Sequence, residues 1–364
     1  MFRNQQATQA SPPKTGVRRV LICLIAVATL LLGACTSTGP APTSVADVAE
    51  GGGLPDTANP DEVADYVHET LKGKKVAYAA GASGFPLQDV WRNTFIDSFE
   101  QLGIEFTYND AQADPQKLVQ NAQTLINDDP DVLILHNQDL TNAANLIKDA
   151  QAKGIYVIVI NLASVAQSDA FVGGNFGPAQ TALAERMSAD CAAKGKKDIA
   201  IIQGWSSDGL SVQAVDAWKA VFEAEGMNVV SEQAGQYDPT KAFNIATTVL
   251  QQQDNLCGFI GAWDSMMIGA ANAVDQAGLA GEVGVYTSDA SIVACDAIEA
   301  GTMTAAVDYG VMSYGPTIVA MVQYFLESGI PAGTTKNAVF AKYTVIDETN
   351  LHESQGSCYT GDSV

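Results

Sequence analysis

Apolar residues along this chain fall into two alternating spacings. Short continuous runs such as Val76-Ala77-Tyr78-Ala79-Ala80 and Val132-Leu133-Ile134-Leu135 are separated by longer segments striped at helical spacing, as in Val90, Phe95, Phe99 and Leu102. Continuous runs of this length read as strands covered on both faces, and striped segments read as amphipathic helices. The alternation therefore predicts β-α-β units on parallel sheets. Strands are expected at 76–80, 105–108, 131–135 ending at His136, 155–160 ending at Asn161, and 170–173. Helices are expected after the Gly-Ala-Ser-Gly-Phe-Pro turn at 81–86, after Asp114-Pro115, and over 142–153. Gly103 and Gly154 stop two of them.

The pattern then restarts. Helices are expected at 178–193, 212–225, from Asp238-Pro239 onward, 265–276 and 291–299, with strands at 199–202, 228–231, 257–262 and 283–287. Asp238-Pro239 repeats Asp114-Pro115. An aspartate that accepts from the first free N–H groups, followed by a proline that has no N–H to lose, opens a helix. Two series of this kind imply an α/β fold with two open parallel sheets. Ligands of such sheets bind beyond the carboxyl ends of the strands. The candidate residues follow from that rule: Phe85 and Gln88 in the first turn, His136, Asn161, Trp205 with Asp208, Trp263 with Asp264, and Ser288 with Asp289.

The first residues read differently. Arg18 and Arg19 precede a predominantly apolar run from Val20 to Leu32, and Leu32-Gly33-Ala34-Cys35 follows. Basic n-region, short apolar h-region and small residues before a cleavage point make an export signal, and the run is shorter than a comfortable membrane span. Leu-Gly-Ala-Cys resembles the bacterial lipobox, which implies a diacylglyceryl thioether on Cys35 after cleavage in front of it. Residues 36–56 are rich in Thr, Ser, Pro, Gly and Ala and end near Gly51-Gly52-Gly53, the composition of a flexible stalk. The expected localisation is extracytoplasmic, anchored to the cell membrane through Cys35 only.

The formal charge is −22, and residues 1–34 hold four basic residues and no acidic ones, so the exported part is four units more negative. That balance argues against nucleic acid and anionic lipid as partners. Of the six cysteines, Cys23 and Cys35 belong to the signal and the lipid site. Cys191, Cys257, Cys295 and Cys358 remain to form two disulfides in an oxidising compartment, with three possible connectivities and Cys295 with Cys358 the pairing favoured. The three histidines His68, His136 and His352 form no pair at metal spacing. No metal or cofactor is expected.

With the strands located, residues 75–347 resemble the ribose-type periplasmic binding proteins, the type I solute receptors of ABC importers. The likeness rests on Phe85-Pro86 before a long helix, Asn109 to Pro115, Asp131 to His136, Gly154-Ile155 to Asn161, and Trp263-Asp264-Ser265-Met266-Met267-Ile268-Gly269-Ala270. The resemblance implies two lobes joined by three hinge strands, with crossings near Gly174, Tyr309 and Ala341, and a solute trapped by closure. The implied organisation is a signal peptide at 1–34, a tether at 35–58, an N-terminal lobe of 59–175 plus 310–340, and a C-terminal lobe of 176–309 plus 341–364.

The family's ligand set carries over in part. Its second-lobe aspartate matches Asp289, and its third-strand Asn is His136 here. Its Asp-Arg pair becomes Asn161-Leu162, the stretch for its second Arg is Trp205 to Ala214 without a basic residue, and its second-lobe Asn falls at Trp263. An arginine fork holds vicinal hydroxyls or a carboxylate through two parallel bonds, so its loss disfavours tight ribose recognition and anionic ligands. Asp208, Asp264, Asp289, Trp205, Trp263 and Tyr309 suit a small neutral or cationic polar solute such as a sugar or polyol.

The expected function is solute capture for ABC permease subunits by a monomer. The alternative is a sensory module that presents its ligand to a chemoreceptor, histidine kinase or quorum system. No Gly-x-Ser-x-Gly elbow, phosphate-cradling loop or paired-histidine motif appears, so an enzyme is not expected.

Overall fold

The computed structural model describes residues 59–137, 141, 143–353 and 357–363. The signal, Cys35 and the whole tether lie outside the described residues. Helix α1 (Pro60–Leu71) precedes the first sheet and is capped by Asn59, whose side chain accepts from the Asp61 N–H.

The first sheet contains β1 (Lys75–Ala80), β2 (Glu105–Asp110), β3 (Val132–Asn137), β4 (Tyr156–Asn161), β5 (Ala170–Gly174) and β11 (Asn337–Ala341), in the order β11-β5-β4-β3-β1-β2. All its pairings are parallel. The second contains β6 (Asp198–Gln203), β7 (Asn228–Ala234), β8 (Leu256–Gly261), β9 (Gly284–Ser288), β10 (Ala305–Asp308) and β12 (Thr344–Ile346), in the order β12-β10-β9-β8-β6-β7. Only β12 runs antiparallel, against β10.

Helices cover both faces of each sheet because the central strands are apolar on both sides. On the first, α2 (Pro86–Gln101) and α10 (Tyr314–Ser328) close one face around Tyr78, Phe95 and Ile134, while α3 (Pro115–Asn127) and α4 (Ala143–Ala152) close the other around Leu125, Leu133 and Ile147. On the second, α7 (Pro239–Gln252), α8 (Asp264–Gln276) and α9 (Ile292–Glu299) face α5 (Phe176–Ala193) and α6 (Gly209–Glu225) across the strands. Trp91 and Trp218, the largest buried side chains, keep their indole N–H groups bonded, to Val311 O at 3.1 Å and Gln180 Oε1 at 2.9 Å. A buried donor left without a partner would cost about 1–3 kcal/mol.

Asp114 accepts from the N–H groups of Gln116 and Lys117, and Asp238 from those of Thr240 and Lys241. Each cap is worth about 0.5–2 kcal/mol to the helix it opens. The second lobe is cross-linked twice, by Cys191–Cys257 and by Cys295–Cys358, the latter tying the C-terminal segment to α9.

The chain passes between the sheets three times, after Gly174, after Asp308 and between Ala341 and Thr344. At the second crossing Gly310 has φ 78°, and a Cβ there would lie 2.7 Å from Ala341 Cβ and from Lys342 O. Only a residue without a side chain fits both demands. The carboxyl ends of both sheets consequently face one another across a cleft.

Candidate ligand-binding site

The strand ends meet as the topology requires. Parallel pairing of β3 with β4 sets Asn137 beside Asn161 and His136 beside Ile160, and the Asn161 Nδ2 lies 3.4 Å from His136 Nε2. Asn161, Trp263 and Asp289 follow or end strands with φ of 78°, 73° and 75°. Side chains other than glycine rarely hold that conformation, and where they do it often belongs to a functional site.

A cavity of about 160 Å³ lies between the lobes, the scale of one small solute. Phe85, Gln88, His136 and Asn161 line it from the first lobe. Trp205, Asp208 and Trp263 line it from the second, and Tyr309 from the hinge. Phe85 meets Trp263 across the cleft with ring centroids 4.8 Å apart and planes at 71°, an edge-to-face contact that bridges the lobes. Trp263, Tyr237 and Trp205 continue it as a wall, with successive centroids at 5.8 and 5.3 Å.

Asp264 and Asp289, expected to touch the solute, do not line the cavity. Both are completely buried in the second lobe. Asp264 accepts from the N–H and hydroxyl of Ser265 and from the Ser291 N–H at 2.9 Å, and also bonds the Ser291 hydroxyl, so it braces the loop before α9 against α8. Asp289 accepts through Oδ1 from the Ala290 N–H and from the Tyr359 hydroxyl of the C-terminal segment, and its buried Oδ2 has no protein partner. Burial raises the pKa of both, and for Asp289 the Asp264 charge adds to the rise.

Sequence reasoning also missed lining residues. Phe176 and Gln180 come from α5, where Gln180 Oε1 accepts from both Trp218 Nε1 and Ser288 Oγ. Gln236 and Tyr237 come from the turn after β7. A signal for the last two existed in the repeated Asp-Pro, which marks the same turn in both lobes.

Three polar atoms of cavity-lining residues are buried without a protein partner: Gln88 Oε1, His136 Nδ1 and Asn161 Oδ1. Native proteins rarely leave such atoms unmatched. Burial lowers the His136 pKa to about 4, so the ring is neutral at physiological pH. With Nε2 accepting from Asn161, the ring proton sits on Nδ1, and the first lobe offers one donor and two acceptors. No arginine or lysine is among the described residues that line the cavity. Among the described lining residues the one carboxylate is Asp208, which caps α6 through the Ser211 N–H at 2.7 Å and accepts from the Tyr237 hydroxyl at 3.0 Å. Burial raises its pKa, opposed by those bonds.

A sequence model of the periplasmic binding protein domain matches residues 76–329. The chain belongs to the periplasmic binding protein family. This periplasmic binding protein is 34% identical over 121 residues to the D-allose-binding periplasmic protein of Escherichia coli, across 33% of its own length and 39% of the relative's. It is 27% identical over 184 residues to the D-ribose/D-allose-binding protein of Pseudomonas aeruginosa, across 49% and 57%. The matches thus span less than two thirds of either relative. A solved ABC transporter solute-binding protein from Burkholderia graminis, in complex with D-arabinose, superposes with a TM-score of 0.71 at 18% identity, covering 78% of this chain and 98% of that one. That likeness establishes a shared fold, two lobes around a cleft.

Proposed function

We propose that this periplasmic binding protein captures one small neutral sugar or polyol between its lobes and presents the closed form to the permease of an ABC importer, held at the membrane by the lipid on Cys35. The observation that carries the solute class is the trio of unmatched polar atoms on Gln88, His136 and Asn161 beside a wall of aromatic rings. Hydroxyl groups both donate and accept, so they complement one donor and two acceptors at once, while the apolar face of a sugar ring packs on Trp205 and Trp263. A carboxylate or phosphate solute would find no cation among the described lining residues. Among the described lining residues a cationic solute would find only Asp208, whose oxygens are already engaged. The relatives named for allose and ribose support the same class.

Titration calorimetry and thermal shift with D-ribose, D-allose, D-arabinose and myo-inositol test the proposal. Saturable one-to-one binding of at least one, weakened about tenfold or more in Gln88→Ala by the lost hydrogen bond, is expected. Binding only of organic acids or amines overturns it. For the anchor, Cys35→Ala is expected to release the protein from membranes, and unchanged membrane association would refute lipidation.

A further inference from the structure

Residues 357–363 lie beyond 76–329, the stretch that the family model matches, and they join the lobes by a route separate from the three crossings. Their first half belongs to the second lobe. Cys358 is bonded to Cys295 of α9, its N–H donates to Ala290 O at 2.8 Å, and the Ile292 N–H donates to Tyr359 O at 2.9 Å. Ser357 Oγ donates to Asp308 Oδ2 at 2.9 Å, and the Tyr359 hydroxyl donates to Asp289 Oδ1.

The second half docks on the first lobe. Asn93 Nδ2 of α2 donates to Gly361 O at 2.7 Å, and a Cβ at 361 would lie 2.8 Å from Asp89 Cβ, so only glycine permits this approach. Arg92 fixes both partners. Its Nη1 donates to Asp89 Oδ1 at 2.6 Å, and its Nε and Nη2 donate to Asn93 Oδ1 at 3.3 and 3.1 Å, which leaves the Asn93 amide to donate to Gly361. Between the two anchorages Tyr359 is buried in the apolar cluster that holds Trp91 and Tyr314.

Both ends lie beside the cavity. Asp89 accepts from the Gly84 N–H at 3.1 and 3.0 Å, and the next residue is Phe85, whose ring lines the cavity and meets Trp263 across the cleft. On the second lobe, Ala290 follows two residues after Ser288, which also lines the cavity. Only Tyr359 and Thr360 separate Cys358 from Gly361, and Tyr359 is held by its own carbonyl and hydroxyl. A rotation that carries α2 away from α9 therefore breaks the Gly361 contacts, because so short a link cannot follow it.

We propose that residues 357–363 are a disulfide-anchored strap that holds the first-lobe turn carrying Phe85 against the second lobe and so favours the solute-trapping arrangement. Contacts made only when the lobes are together shift the balance toward that arrangement. Solute affinity rises by the same factor as the population of the competent arrangement. None of the described residues that line the cavity belongs to the strap, so it acts through the lobes and independently of the solute class.

The test uses the full chain in detergent solution, as wild type, Gly361→Ala, Asn93→Ala and Cys295→Ala/Cys358→Ala. The first two variants loosen the strap from α2 with the disulfide intact, and far-UV circular dichroism checks that each protein is folded. Acrylamide quenching of tryptophan fluorescence without solute reads the arrangement, because Phe85 covers Trp263 across the cleft while Trp91 and Trp218 are buried. Quenching is expected to rise in all three variants. Calorimetry with D-ribose, D-allose, D-arabinose and myo-inositol is expected to show affinity for whichever of them binds falling about threefold to tenfold, the scale of one hydrogen bond. Quenching equal to wild type in Gly361→Ala overturns the proposal, whatever the affinities. If none of the four solutes binds the wild type, the sugar reading has failed, and quenching alone decides for the strap.

Discussion

Acidification provides a measurable consequence of burying His136 at the cleft. The residue is 2% exposed, its ring stands edge-on to Trp91 at 5.5 Å, and burial lowers its pKa to about 4. In the unfolded chain the ordinary value near 6.5 returns. The sign follows from proton counting: below pH 6.5 the unfolded state binds a proton that the folded state refuses until about pH 4, so stability falls as pH drops through that window. At about 1.4 kcal/mol per pH unit, the loss attributable to this ring between about pH 7.5 and pH 5 is about 2 kcal/mol. Buried acids such as Asp208 and Asp289 have raised pKa values and act in the opposite direction. The wild-type profile therefore mixes both, and the informative quantity is the difference from His136→Asn, which removes the titrating ring. Urea unfolding at about pH 7.5 and pH 5 should show the wild type losing about 2 kcal/mol more than the variant. Equal changes in the two proteins would mean that His136 reaches solvent or an acidic partner in the folded state, and the account of its burial would be wrong.

The Cys191–Cys257 bridge closes a sequence separation of 66 residues, and a loop of that length is worth about 4 kcal/mol of unfolded-state entropy. The Cys191→Ala/Cys257→Ala variant is accordingly expected to melt roughly 10 °C lower by calorimetry, and a shift below about 2 °C would refute the estimate of loop entropy as the governing effect. Asp289→Asn keeps an acceptor for Tyr359 and the Ala290 N–H while removing a buried charge beside Asp264. A carboxyl whose folded pKa is raised opposes folding above that pKa, so the variant should be more stable than wild type at about pH 8, with the advantage shrinking toward about pH 5. Its sugar affinity should stay within about threefold, and a loss of about tenfold would place Asp289 in contact with the solute after all.

Helix and strand positions were legible wherever the signal is local. The runs that became β1, β3 and β4 are continuous because both faces are covered, and the stripe Val90, Phe95 and Phe99 marks the buried side of α2. Asp114-Pro115 and Asp238-Pro239 are caps written into adjacent residues. Helix α10 carries its stripe openly in Tyr314, Ile318, Val322 and Phe325, although the expectations stop at Glu299. Strands β10 and β12 have only four and three residues, too short for a period to be read, and their place depends on the chain returning through the hinge.

Tertiary structure alone decided what the strand-end residues do. Sequence position put Asp264 and Asp289 at the same ends as Trp263 and His136, but Ser291 donates to Asp264 and Tyr359, distant along the chain, to one oxygen of Asp289. Phe85 reaches Trp263 only because three crossings face the two sheets toward one another. Tyr237 reads as an ordinary turn residue until Gly204, Asp208 and the two tryptophans are seen to hold it in the cavity. Periodicity records which face of an element avoids water, and it is therefore written locally in the sequence. A binding site is a set of directions converging from many elements, so only the completed packing fixes it.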